Sequence, residues 1–187
     1  MTVRINLEIG KKKVNAIAVD YPGWCRSGKS EEDAIENLLS YAPRYRAAVP
    51  SILLEDAERY TIAERLQGSA SSDFGGPSIE SESDTLSVDG SELDDLCVLL
   101  TDCWNAFDDA IALAQGKELR KGPRGGGRDL YKMIDHILEA EKAYLRRISF
   151  SFKVDKEEDR RAHLERMKNE AIVAFRTAVL ELSKVSV

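Results

Sequence analysis

Only two histidines occur in this chain of 187 residues, His136 and His163, and each lies in a helical pattern dense with carboxylates. Imidazole nitrogen and carboxylate oxygen can together hold a divalent metal, a site that needs about three protein ligands and an open position. His136, Glu141 and His163 are therefore the candidate ligand or metal set, with Asp102, Asp108 and Glu170 as further oxygen donors. None stands at a diagnostic spacing. There is no HxxxH pair, and Cys25, Cys97 and Cys103 form no CxxC. The expectation is no bound cofactor; a divalent metal such as zinc or nickel centred on His136 is the alternative. Ser-His-Asp or Cys-His catalysis is unsupported, because neither histidine has a placed nucleophile beside it.

Helical geometry makes Glu141 a sharper clue than His136. At about 100° per residue, Leu130, Ile134, Ile137, Tyr144 and Leu145 share one broad apolar face. His136 falls roughly 120° from the centre of that face, whereas Glu141 lies within it. A carboxylate there must be paired, protonated or bound to something, and Arg124, Arg128 or Tyr144 are the expected partners. Upstream, GKELRKGPRGGGR combines bare glycine amides with Lys121, Arg124 and Arg128, a composition suited to docking a phosphate or an acidic peptide. It matches no P-loop or GxGxxG pattern, and a flexible interhelical loop is the plainer reading.

Two kinds of periodicity position these residues. Val3, Ile5, Leu7 and Ile9 alternate with Arg4, Asn6 and Glu8, which predicts a half-buried strand. Val14 to Val19 returns as a second strand, Asp20-Tyr21-Pro22-Gly23 makes a turn, and a short third strand follows near Trp24 to Arg26. Ser30 with Asp33 caps a helix burying Ala34, Ile35, Leu38 and Leu39, which Pro43 ends or kinks. Tyr60 to Leu66 completes a β-β-β-α-β order. Residues 68–91, rich in Ser, Gly and acids and free of bases, read as a linker, with Phe74 and its turn as a local anchor. Three amphipathic helices follow, the first capped by Ser91 with Asp94, the second starting near Asp129, the third capped by Asp155 with Glu158. The outer two carry stripes through Leu93, Leu96, Leu100, Trp104, Phe107 and Ile111, and through Leu164, Met167, Ala171, Phe175, Ala178 and Leu182. Short connections predict an antiparallel bundle.

Totals narrow the classes of function. A net charge of −6 argues against nucleic-acid binding, which needs a basic face. No apolar run approaches a membrane span, and the start MTVRINLEIG has no secretory pattern, so a cytoplasmic protein is expected. Cys97 and Cys103, six apart on a helix, point to different sides, which fits reduced thiols.

The N-terminal run DYPGWCRSGKSEEDAIENL, through Pro22, Gly23, Gly28, Glu31, Glu32, Ala34 and Asn37, resembles the HicB family of antitoxin-like domains over roughly residues 1–67. That resemblance implies a small α+β fold and pairing with a HicA-type RNase toxin; the ribbon or helix-turn-helix often attached for DNA binding is absent. GGGRDLYKMIDHILEAEKAYLRRI is similar to the DinB-like helical-bundle superfamily over about residues 92–187. Many of its members bind a divalent metal through one histidine, matched by His136, and an HxxxH pair, which this chain lacks.

The fold expected is α+β: a HicB-like domain (1–67), a Ser/Gly/acidic linker (68–91) and an antiparallel DinB-like bundle (92–187). The leading function is a non-enzymatic cytoplasmic interaction or ligand-binding protein, regulatory or antitoxin-like, working as a homodimer away from membrane and nucleic acid. The alternative is a metal-dependent transferase or hydrolase around His136.

Overall fold

Alternation of Val3, Ile5 and Leu7 with polar residues yields β1 (Thr2–Ile9), one of the two inner strands of a four-stranded sheet. The computed structural model describes residues 2–52, 59–120, 129–153, 155 and 157–185. β2 (Val14–Ala18) and β3 (Cys25–Gly28) add antiparallel on one side of β1, and β4 (Arg59–Gln67) pairs parallel on the other, in the order β3-β2-β1-β4. Between β3 and β4 run α1 (Glu31–Ser40) and the short α2 (Ala42–Ala48). The expected β-β-β-α-β order is present, and the class is α+β. Ser30 caps α1 by accepting from the Asp33 amide at 3.2 Å. Pro43 falls in the first turn of α2, where its missing N–H costs nothing, so the chain restarts a helix there.

One sheet face packs on α1 and α2. Val3, Ile5, Leu7, Ala16, Ala34 and Leu38 are almost wholly buried there, together with Trp24. The turn before Trp24, with Gly23 at φ 85°, delivers its indole beneath the helices, where it donates to the Leu38 carbonyl at 2.9 Å. Tyr45 stacks on it at 5.5 Å and Tyr21 meets it edge-on at 5.8 Å. Gly28 is required by the close approach of α1: a Cβ there would lie 2.3 Å from the Ala34 amide.

The opposite face departs from the half-buried expectation. Asn6, Glu8 and Asn15 are buried too, because residues 68–85 fold over them instead of forming a loose linker. This segment forms α3 (Ala70–Phe74) and a 3₁₀ turn, Glu82–Thr85. The Glu8 carboxylate holds it, accepting from the Ser72 hydroxyl at 2.5 Å and from the amides of Ser78 and Ile79 at 2.9 and 3.0 Å. Asp73 accepts from the Lys12 amide at 2.7 Å, while Phe74, the expected anchor, is 78% exposed. A serine-rich composition reads as unstructured because it has little to bury, yet one buried carboxylate gives its hydroxyl and amides fixed partners. The chain divides into two units at Ser87/Val88, inside the stretch 68–91.

The second unit has three long helices: α4 (Gly90–Ala114), α5 (Leu130–Leu145) and α6 (Arg160–Val185). Their starts are set by aspartates. Asp89, not Ser91, caps α4, accepting from the Ser91 and Glu92 amides, with Glu92 reaching back to the Asp89 amide. Asp129 caps α5, and Asp159, not Asp155, receives the Arg161 and Ala162 amides of α6. Trp104, Ile134, Leu138, Leu145, Leu164 and Met167 lead the core. Tyr144 is 62% exposed, because it lies roughly 100° round the helix from the buried Ile134, Leu138 and Leu145.

Direction within this unit differs from the expected antiparallel bundle. Asp94 and Asp108 of α4 pair with Arg176 and Lys168 of α6, and Trp104 pairs with Glu141 of α5 while the α4 C-terminus lies beside Leu130. So α4 opposes both other helices, and α5 and α6 run the same way, with Asp135 paired to Arg160 at their starts. Fourteen residues separate Leu145 from Arg160, a length of chain able to span the ~24 Å of α5. Buried Phe152, and Arg166 donating to the Lys153 carbonyl at 2.9 Å, fasten it to α6.

Candidate functional site: a cleft around His163

Because α5 and α6 run in parallel with a chain returning between their ends, their N-terminal halves are left with an open cleft of about 500 Å³. Tyr131, Asp135, Leu138, Glu139 and Lys142 line it from α5. Asp155, Glu158 and Asp159 come from the returning chain, and Arg160 and His163 from the first turn of α6. Helical spacing puts Tyr131, Asp135, Leu138 and Lys142 on one face, and the Asp159 cap fixes where α6 begins.

His163 is the one strongly buried side chain among the polar groups of this wall, at 7% exposure. Its ring lies 5.3 Å from that of Phe152, whose other contact is the Arg166 guanidinium, 4.4 Å from the ring centroid. Nδ1 is 4.0 Å from Glu158 Oε2, too long for a hydrogen bond but close enough for attraction to an N–H. Nε2 is buried with no hydrogen-bond partner. An unmet nitrogen of this kind costs free energy, so it marks strain or a missing partner. Ion pairs surround it: Arg166 joins Glu158 at 2.8 Å and Glu170 at 3.0 Å, Arg160 joins Asp135 at 2.7 Å, and Lys142 joins Glu139 at 2.7 Å. The hydrogen bonds from Arg166 hold the Glu158 carboxyl below its ordinary range, and those from the Arg161 and Ala162 amides do the same for Asp159.

The residues singled out from sequence are not brought together. His136 is exposed on α5, outside the cleft. Glu141 lies on the buried face as expected, but its partner is the Trp104 indole, which donates at 3.1 Å. Asp108 is taken by Lys168 and Glu170 by Arg166. Among the described residues, no three His, Cys, Asp or Glu side chains converge as a metal site would need. Lys121, Arg124 and Arg128 lie outside the described residues. Cys97 is buried and Cys103 exposed, on different sides as their spacing requires. Burial pushes the Cys25 thiol up to about 11, with Glu8 adding to the shift against Arg26, which makes it a poor nucleophile.

Phe152, Arg166 and Asp159 went unnoticed in the sequence. Phe152 stands outside any periodic segment, and nothing local shows that the return places it under α6. The spacing of Arg166 to Glu170, four residues apart on a helix, was the one local signal available. No family model, curated protein or solved structure matches the chain.

Proposed function

We propose that this chain is a non-enzymatic binding protein whose helical unit takes a small ligand in the α5–α6 cleft. The observation that carries this reading is a polar cleft large enough for a metabolite, walled by five carboxylates, two cations and His163. Nitrogen-detected NMR of the histidine rings, during a screen of charged and neutral metabolites, tests it. The His163 ring should shift with at least one class of compound, and shift less at equal dose in Asp155→Asn at the rim. A screen in which every compound leaves that ring untouched sinks the reading.

A second reading concerns the N-terminal unit, as a HicB-like, antitoxin-like module. It is supported by the β-β-β-α-β order with β1 and β4 parallel, and by Gly28 and Ser30 serving the start of α1. A small basic RNase of the HicA type would be its partner, and co-expression followed by co-purification decides it. A cytoplasmic location belongs with this reading and agrees with three free cysteines. Among the described residues no helix is long and apolar enough to cross a membrane. A homodimer is also part of the proposal. α4 and α6, with 25 and 26 residues, outlast the 16 of α5 and leave Val98, Val173 and Leu180 exposed. Light scattering at tens of micromolar that gives 20.9 kDa removes the dimer. The metal-dependent alternative at His136 is answered by elemental analysis, with a full equivalent lost in His136→Ala as its requirement.

A further inference from the structure

Resting on the homodimer proposed above, we infer that two copies pair through a second apolar face of the helical unit, formed by α4 and α5 on the side away from α6. The first support is periodicity. On α4, Leu96, Leu99, Cys103, Ala106, Ala110 and Leu113 recur at alternating spacings of three and four, the period of a helix–helix seam. On α5, Met133, Ile137, Ala140 and Tyr144 repeat the same steps. Among the described residues none of these joins the core of the unit, which takes Trp104, Ile134, Leu138 and Leu145 from the same two helices. Leu96, Cys103, Leu113 and Tyr144 are exposed. Helical angles bring the two stripes together. The α4 stripe lies opposite the flank on which Asp94 and Asp108 meet α6, and so on the α5 side. The α5 stripe lies opposite the flank on which Asp135 meets Arg160, and so on the α4 side. With Trp104 and Glu141 joining the helices, the stripes adjoin as one face.

The second support is size and charge. Leu96 to Leu113 spans about 26 Å of helix, and two helices about 10 Å apart make the face roughly 20 Å wide. Each copy offers on the order of 500 Å², and two together reach the ~1,000 Å² that a specific interface requires. Charge then selects how the copies meet. α4 contains no lysine or arginine, and Asp95, Asp102 and Asp109 follow at intervals of seven along the outer edge of its stripe. Laying α4 on α4 of the second copy would set these aspartates against their equivalents, at a cost in free energy. Laying it on α5 of the second copy sets them instead along an edge that carries His136 and ends at Arg147. Asp129, at the start of that edge, is already paired with Lys132. The second arrangement puts the twofold axis along the helices and makes the face complementary to itself.

Light scattering on the full chain at tens of micromolar tests the inference, with circular dichroism checking that each variant keeps its helicity. Wild type should give twice the 20.9 kDa of one chain. Ala106→Glu and Tyr144→Glu, one on each stripe and both outside the core, should each raise the dissociation constant about tenfold or more with helicity intact. Asp95→Lys together with Asp109→Lys should weaken the dimer about threefold, by facing lysines toward Arg147. A dimer strengthened by that reversal would place α4 on α4 and overturn the inference. A dimer that survives both stripe variants but is lost in Val173→Glu, on α6, overturns the inference and leaves the homodimer standing. A monomeric wild type overturns both.

Discussion

Glu8 and His163 are both buried polar residues, one in each unit, and the protein treats them in opposite ways. Glu8 is fully enclosed, and its carboxylate accepts from a hydroxyl and two amides of the segment that covers it. His163 is nearly as enclosed, yet one ring nitrogen has nothing to bond. A satisfied buried carboxylate fastens a fold, because removing it strands every group that leaned on it. An unsatisfied buried imidazole nitrogen is a standing cost. The contrast is between side chains and not between units, since Asn15 Oδ1, beside Glu8, is also buried without a partner.

The largest expected effect comes from breaking the satisfied side. Glu8→Ala leaves the Ser72 hydroxyl and two amides without an acceptor, and should cost the N-terminal unit about 3 kcal/mol or more in urea denaturation. Limited proteolysis should then open residues 69–85, which in the wild type resist while cleavage falls near exposed Leu86. A variant as stable as wild type would show that Glu8 does not hold the covering segment. On the other side, His163→Ala should cost about 2 kcal/mol by emptying the space against Phe152, whereas His163→Phe should be neutral or slightly stabilising. Marked destabilisation by His163→Phe in thermal melts would mean that the imidazole has a structural partner, and the contrast with Glu8 would collapse.

Trp104→Phe is an intermediate case, since it removes the indole N–H from Glu141 and leaves a smaller phenyl ring in its place. It should lower stability by about 1 kcal/mol, readable in chemical denaturation of the helical unit. Acid gives the smallest effect. Hydrogen bonds from Arg166, from the α6 amides and from the α5 start hold Glu158, Asp159 and Asp129 below their ordinary values. A depressed folded value means stability that is present above the unfolded value, near pH 4, and lost as pH falls through the folded value. Melting of the helical unit should therefore be flat from pH 7 to about 5 and decline below about 4, with Glu158→Gln flattening that decline. A decline already complete at pH 5 would point to another group.

Local patterns carried much of this molecule. Ser30 before α1, Asp129 before α5 and the apolar periods of β1 and α6 are properties of neighbouring residues, and the resulting elements are present. Glu141 on an apolar face announced a need for a partner, because helical geometry alone puts it there; that the partner is Trp104, thirty-odd residues upstream on another helix, depends on how α4 and α5 pack. The choice of Asp89 over Ser91 as a cap was settled by which side-chain oxygen reached the free amides.

What the sequence determined by itself is therefore a list: two periods, their caps, a negative net charge and two histidines in helical context. Tertiary structure decided whether each polar residue in that list would be met. A serine-rich stretch became ordered because Glu8 lay beneath it, and α5 and α6 came to run in parallel because the chain over residues 146–159 returned with Phe152 buried. These outcomes hinge on contacts between residues far apart in the chain, whose hydrogen bonds are worth little in water and much once enclosed. No spacing along the sequence encodes that enclosure, so only the folded chain distinguishes Glu8, which is complete, from His163, which is not.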